Sequence, residues 1–124
     1  MKQQIELLKK VKAVPKPSEI LREAHTEGIR KCRFAFHIGD VSYCARGILM
    51  KKFGESEGIE VNGIDVEVEN ELFSVNLYNK KFEQLNQLER ERIYEIQRNL
   101  AKFNDSSDKI TFLDCAKELE KVGL

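Results

Sequence analysis

Apolar side chains recur at helical spacing in the first part of the chain. In residues 2–13 an isoleucine, a leucine and a valine repeat every three positions while lysines fill the other face, which predicts an amphipathic helix. The sequence P-K-P at residues 15–17 ends this helix, because proline lacks the amide hydrogen that a helix interior requires. Ser18 is then the expected N-cap of a second, short helix that ends at Gly28.

The pattern changes in the run C-R-F-A-F-H-I-G-D-V-S-Y-C, which is rich in aromatic and β-branched residues. It predicts a β-hairpin with Gly39 and Asp40 as its loop. With that loop, His37 and Cys44 lie on the same face, diagonally across the two strands. A helix with an apolar face follows and ends at Gly54.

An Asn-Gly dipeptide lies at the centre of residues 58–68, between alternating apolar and acidic positions. This is the strongest short-range signature of a β-hairpin, because both central residues of a type I′ turn need a positive φ. The pattern predicts antiparallel pairing that brings Ile59 opposite Val66. This second hairpin belongs to an acidic insertion over residues 55–71.

Two further helices are predicted in the C-terminal half of the chain. The first covers residues 80–103, with a break where Asn86 and Glu89 have the spacing of a capping box. The loop N-D-S-S-D-K then leads to Thr111, the expected N-cap of a last helix that Gly123 closes.

Together these elements predict an α+β fold: a mainly helical single domain over residues 1–124, with four to five helices and two short β-hairpins. The N-terminal helix, residues 1–14, is expected to be peripheral to it. A content of 41% hydrophobic and 34% charged residues is typical of a globular protein, and 124 residues suffice to bury a core.

The sequence also bears on location. No stretch approaches the roughly 18 apolar residues that cross a bilayer, and the N-terminus lacks the hydrophobic segment of a signal peptide. Three cysteines without a C-x-x-C pair argue against a disulfide framework. A cytoplasmic location without membrane contact is therefore expected.

Charge is unevenly spread although the net charge is zero. Residues 1–54 carry 12 Lys and Arg against 5 Asp and Glu, whereas residues 55–71 carry seven acids and no base. The two segments either face each other in the fold or each meet an outside partner. Mutual neutralisation is the favoured interpretation, because most charge runs form solvated faces.

Cys44 is the main candidate for chemistry. It lies in the first turn of a predicted helix, where free amides and the helix dipole favour a thiolate, and His37 could take its proton. Gly47 would leave one flank of the sulfur open. The alternative is a buried structural thiol at the edge of an apolar face, with Gly47 admitting a closely packed neighbour, and this alternative is favoured.

Other chemistry has weaker support. His25, Cys32, His37 and Cys44 match no zinc spacing, so neither a metal nor a cofactor is expected. A basic stripe that begins with lysines of the first helix could bind nucleic-acid phosphates without sequence preference. The zero net charge and the lack of a helix-turn-helix pattern speak against this.

The function expected from the sequence is a small non-enzymatic module for protein interaction or regulation, of a kind carried by phages or mobile elements. Its partner would be an unidentified protein or a second copy of the chain. The alternatives are a hydrolase or transferase that depends on Cys44 and His37, and a nucleic-acid-binding protein. The candidate contact residues are Glu60, Asp65, Glu67 and Glu69 of the acidic hairpin and Lys9, Lys10 and Lys12 of the basic helix.

Two stretches resemble an uncharacterised family of small bacterial and phage proteins, a domain of unknown function. Y-C-A-R-G-I-L is similar to its C-A-x-G-A-L segment, and N-D-S-S-D-K-I-T-F-L-D-C-A-K-E-L to its Asn-Asp loop and terminal helix. The resemblance covers residues 18–54 and 93–121 and implies a compact helical domain with a hairpin, but no activity. The matching positions are Cys44, Gly47, Asn104 and Asp105. The chain departs from the family pattern at Ile48 and in the Asn-Gly hairpin.

Overall fold

The computed structural model describes residues 14–39, 41–58 and 65–124. In these ranges the chain forms five α-helices, one short 3-10 helix and three two-residue strands. The predicted mainly helical α+β class is confirmed. In chain order the elements are α1 (Pro17–Thr26), β1 (Arg30–Lys31), β2 (His37–Ile38), β3 (Ser42–Tyr43), α2 (Ala45–Ser56), α3 (Val66–Tyr78), the 3-10 helix (Phe82–Gln84), α4 (Gln87–Asp105) and α5 (Phe112–Glu120).

The predicted second hairpin is only partly open to comparison, because residues 59–64 lie outside the described ranges, as does the predicted helix over residues 2–13. The strand expected from Val66 onward is wrong, since α3 begins there. Asp65 starts the helix by accepting a hydrogen bond from the Val68 amide at 3.3 Å.

Several predicted helix boundaries are correct. Asn86 and Glu89 form a reciprocal capping box at the start of α4, and Thr111 caps α5 together with Asp114. The expected N-cap at Ser18 is wrong, because Lys16 is the N-cap and α1 begins at Pro17, two residues earlier than expected. Proline is favoured in the first position of a helix, where no amide hydrogen is needed.

The core lies around α2, which packs against α1, α3 and α4, while α5 packs against α1 and α4. Three consecutive α2 side chains, Ile48, Leu49 and Met50, are fully buried, so this helix is enclosed on more than one side. The other helices contribute one apolar face each. None of the helices in the described ranges is long and apolar enough to cross a membrane.

The three strands form a small sheet in the order β1-β3-β2. β3 is central: it runs parallel to β1 and antiparallel to β2. β2 is therefore an edge strand. The chain between β1 and β2 passes the start of α2, where the Phe36 carbonyl oxygen accepts a hydrogen bond from the Cys44 amide. The β2 side of the predicted hairpin therefore lies beside Cys44, the residue that precedes α2.

Candidate functional site

The first predicted hairpin is present, but its loop is one residue longer than expected. His37 pairs with Tyr43 and Ile38 with Ser42, so residues 39–41 connect β2 to β3. Gly39, the first residue of this loop, has φ 56°, a left-handed conformation that glycine adopts at little steric cost.

The longer loop separates the two candidate catalytic residues. Side chains alternate along a strand, so a shift of one residue places His37 and Cys44 on opposite faces. The predicted shared face is therefore wrong. The His37 ring lies beside Tyr43, with 6.3 Å between ring centroids, and its Nδ1 is 2.9 Å from the Gly39 carbonyl oxygen.

Cys44 is buried at the start of α2, with 7% of its surface exposed. It is the N-cap of that helix, and its Sγ accepts a hydrogen bond from the Gly47 amide at 3.3 Å. Burial raises the pKa of the Cys44 thiol to about 11, although the amides of Gly47 and Arg46 act to lower it. The group is therefore a thiol at neutral pH, which suits packing and capping rather than nucleophilic attack.

The three cysteines should consequently resist modification in the native chain. A pKa of about 11 leaves about one Cys44 in a thousand as thiolate near pH 8. Burial also raises the pKa of Cys32, and that of Cys115 to about 12. We expect iodoacetamide to label the native chain at least about 100-fold more slowly than the chain in guanidinium, as followed by intact mass. Rapid labelling of Cys44 alone in the native chain would contradict this.

Gly47 allows the hairpin to approach α2 closely. A Cβ atom at this position would overlap the carbonyl oxygen of Phe36 and lie 2.8 Å from its carbonyl carbon. The same carbonyl oxygen accepts a hydrogen bond from the Cys44 amide at 3.0 Å. The glycine therefore serves the close packing of strand on helix, which is the second of the two roles that the sequence suggested.

The acidic candidates have different environments. Glu69 is fully buried, and its carboxylate accepts three hydrogen bonds from the Arg46 guanidinium, the shortest at 2.7 Å. Burial raises the pKa of the Glu69 carboxyl, and Arg46 opposes this rise. Glu69 is therefore not an exposed contact residue. Asp65 is occupied as the N-cap of α3, and Glu67 is exposed.

The remaining candidates, Glu60, Lys9, Lys10 and Lys12, lie outside the described residues. In the described part of residues 1–54, five basic side chains form ion pairs within the fold. The Lys31 ammonium donates a hydrogen bond to the Asn104 carbonyl oxygen. Two of these pairs join residues 1–54 to the acidic segment, which agrees with mutual neutralisation. The five pairs are Arg22 with Glu120, Arg33 with Asp108, Arg46 with Glu69, Lys51 with Glu55 and Lys52 with Glu27.

Asn104 fixes the segment before the hairpin to the helical core. Its side chain is 1% exposed; Oδ1 accepts from the Ala45 amide and Nδ2 donates to the Cys32 carbonyl oxygen, each at 3.0 Å. One amide thus joins the end of α4 to the start of α2 and to the chain after β1. Both hydrogen-bonding ends of a buried amide are satisfied, which makes the contact specific.

The neighbouring Asp105 holds Arg33 and Phe34. The Arg33 Nε and Nη2 atoms donate to the Asp105 carbonyl oxygen at 3.0 and 2.6 Å, and the Phe34 amide donates to Asp105 Oδ1 at 3.0 Å. Phe34 has φ 64°, which is rare for a bulky residue, and its side chain is 75% exposed. The Arg33 guanidinium carbon lies 4.7 Å from the centre of its ring.

Three exposed apolar side chains, those of Phe34, Ile38 and Val41, lie in and beside the hairpin. We call residues 34–39 and 41, which include them, the hairpin surface. Ile38 is 58% exposed and Val41 65% exposed, and residues 34–39 contain no Lys, Arg, Asp or Glu. Natural edge strands are usually protected by such charges. The hairpin surface therefore contains no Lys, Arg, Asp or Glu side chain.

The backbone of this surface also has an open side. The Tyr43 carbonyl oxygen accepts from the Cys32 amide at 2.9 Å, so Tyr43 directs its backbone groups toward β1. In an antiparallel pair the two opposed residues direct these groups to opposite sides. The amide and carbonyl of His37 consequently point away from β3, toward the edge of the sheet that no other strand of the described residues covers.

Among residues 14–39, 41–58 and 65–124, no three His, Cys, Asp or Glu side chains are grouped so that they could hold a metal ion. Comparison of the chain with protein-family models, with curated proteins and with solved structures found no match.

Sequence reasoning missed two features of the site. It treated the run F-A-F-H-I-G as hairpin strand, and although the absence of charge was visible, nothing in the run indicated that Phe34 would be exposed. The Arg46–Glu69 pair had no local signal, because the residues are 23 positions apart and lie on different helices.

Proposed function

We propose that this protein is a non-enzymatic binding module that contacts a protein partner through the hairpin surface. The observation that carries the proposal is Phe34: a large aromatic side chain, 75% exposed, on a backbone that Asp105 holds in the left-handed region. Its place in the cell would be the cytoplasm, and the three free thiols are compatible with that compartment.

The energetics support a binding role for Phe34. A left-handed conformation costs a non-glycine residue about 1–2 kcal/mol, and exposure gives the ring little burial in return. The hydrogen bond from its amide to Asp105 and the contact with the Arg33 guanidinium offset part of this cost. A rigid aromatic anchor loses little entropy on binding, and such residues dominate the affinity of protein interfaces.

The open edge of β2 indicates the kind of partner. A protein segment in extended conformation could pair with the outward backbone groups of His37 and place apolar side chains beside Phe34 and Ile38. Main-chain hydrogen bonds would supply affinity in this mode, and the aromatic side chain would supply specificity. A partner with an exposed apolar strand therefore fits this surface best.

The two alternative functions have less support. An enzyme that used Cys44 would need a thiolate and a nearby base, whereas the thiol is buried and His37 lies on the opposite face of the hairpin. Nucleic-acid binding would need free cations, and the ion pairs of Arg22, Arg46 and Lys52 leave those side chains less available to phosphates.

Replacing Phe34 with alanine should lower partner capture about tenfold or more without unfolding the chain. The immobilised chain, its Phe34→Ala variant and its Leu88→Ala variant would each be incubated with lysate of the native cell, followed by quantitative mass spectrometry. Leu88 is a matched control, because it is an exposed apolar side chain on α4 with 78% exposure. We expect at least one protein whose recovery falls about tenfold or more with Phe34→Ala and stays unchanged with Leu88→Ala, as for an interface hot spot.

A second copy of the chain is one possible partner, and light scattering of the purified protein would identify it. Circular dichroism of each variant would establish that the fold is retained. If every captured protein is recovered equally well by the chain and by Phe34→Ala, the proposal is wrong.

A further inference from the structure

A second surface lies on the side of the molecule where α3 begins. It is an open groove of about 510 Å³ between the end of α2, the first turns of α3 and the residues around the 3-10 helix. Four apolar residues, Val14, Phe53, Val68 and Val75, contribute to its lining. The charged lining residues in the described ranges are five carboxylates and one ammonium group, that of Lys81.

The acidic side chains of the groove are not all committed to the fold. Asp65 caps α3, and the Glu71 carboxylate accepts a hydrogen bond from the Phe82 amide at 3.1 Å. Glu67 and Glu83, in contrast, are exposed at the groove. An apolar lining with exposed carboxylates is suited to an amphipathic segment that carries positive charge.

The chain itself contains such a segment, and it is attached at this groove. Val14 lines the groove and is the first described residue, so residues 1–13 continue directly from it. Those 13 residues carry four lysines and one glutamate, with Ile5, Leu8 and Val11 at helical spacing. As a helix, 13 residues would be about 20 Å long, which is enough to cross a groove of this size.

We propose that residues 1–13 dock in this groove of their own chain. The apolar side chains at helical spacing would lie against Phe53, Val68 and Val75, and the lysines would face the carboxylates of Glu67 and Glu83. This contact would bring the four lysines of residues 1–13 close to acidic residues of segment 55–71, which contains no base. It is independent of the hairpin surface and of the function proposed for it.

Because residues 1–13 are covalently attached beside the groove, they are favoured as its occupant over a separate basic peptide. A short connection gives a tethered segment an effective concentration in the millimolar range at its site, whereas a separate basic peptide must reach that concentration in solution. The corresponding segment of a second copy has the same disadvantage in dilute solution. Docking within one chain should therefore not depend on protein concentration.

Hydrogen exchange of the full chain tests the proposal by measuring the backbone amides of residues 2–13 with mass spectrometry. We expect these amides to exchange at least about tenfold more slowly than unstructured ones, and this protection to fall in about 0.5 M sodium chloride. The groove variant combines Glu67→Lys with Glu83→Lys and should remove most of the protection. Adding Lys9→Glu and Lys12→Glu to it should restore protection, because the charges are then exchanged rather than removed.

A matched control combines Glu91→Lys with Glu95→Lys, which changes the net charge equally on an exposed face of α4. This control should keep the protection of the native chain. Exchange at unstructured rates in the native chain would overturn the proposal. So would protection that the groove variant leaves intact, or protection that appears only as the protein concentration rises, which would indicate a second copy.

Discussion

Replacing Arg46 with alanine should lower the free energy of unfolding by about 3–5 kcal/mol, because it leaves the carboxylate of Glu69 buried without its partner. Glu69 is fully buried, and Arg46 is its ion-pair partner in the described part of the chain. The side chain of Arg46 is itself only 15% exposed, so solvent screens the pair weakly. Urea denaturation followed by circular dichroism would measure the loss.

The pH dependence of this loss has a definite sign. Burial raises the pKa of the Glu69 carboxyl, so just above its ordinary pKa of 4.5 the folded state binds a proton more readily than the unfolded state does. Without Arg46 this effect grows, and the deficit of Arg46→Ala should increase as the pH rises from about 4.5 toward neutrality. A deficit that is constant over this range would contradict the assignment.

A double variant separates the ion pair from simple packing. Arg46→Met with Glu69→Leu removes both charges and keeps apolar volume, and buried pairs replaced in this way often leave stability unchanged or improved. We expect the double variant to be at least about 2 kcal/mol more stable than Arg46→Ala. If it is equally unstable, the loss comes from packing around α2 rather than from an unpaired charge.

Replacing Gly47 with alanine should lower the free energy of unfolding by about 2–3 kcal/mol, although alanine is the better helix former by about 1 kcal/mol. The reason is steric: the new methyl group would overlap the carbonyl oxygen of Phe36, a backbone atom that cannot rotate away. The hydrogen bond from the Cys44 amide to that oxygen would be disturbed as well. Urea denaturation again measures the effect.

Gly58→Ala is the control for this experiment. Gly58 has φ 73°, and a Cβ atom there would meet no atom of the described residues within 4 Å, so alanine would add conformational strain without a clash. Its expected cost is about 1 kcal/mol. A smaller loss for Gly47→Ala than for Gly58→Ala would mean that the hairpin does not press against α2 as described.

Local hydrogen bonds explain which parts of the fold could be predicted. The break before α4 and the start of α5 depend on the reciprocal caps Asn86–Glu89 and Thr111–Asp114, whose partners are three residues apart. Such bonds form within one turn of chain, so residue types and spacing are enough to predict them. The start of α3 was missed because Asp65 is also the expected residue of an acidic strand, and the alternation beside it favoured that interpretation.

For the hairpin, the sequence-based prediction was wrong by one residue in the length of the loop. Its location was correct, yet a loop of three residues instead of two reversed the side-chain faces and separated His37 from Cys44. In the folded chain the longer loop occurs together with the hydrogen bond from the Cys44 amide to the Phe36 carbonyl oxygen at the start of α2, a contact that only the tertiary structure shows.

The sequence by itself determined the mainly helical α+β class, the starts of α4 and α5 and the uneven charge, because these depend on composition and on neighbours within a few positions. Only the tertiary structure decided that Glu69 is buried, that Cys44 is enclosed and that Phe34 is exposed. The hydrogen bonds that hold these three parts of the chain span 23, 59 and 71 positions, from Arg46 to Glu69, from Ala45 (next to Cys44) to Asn104 and from Phe34 to Asp105. Contacts between residues so far apart produce no periodic pattern in the sequence, because they form only when the helices pack together.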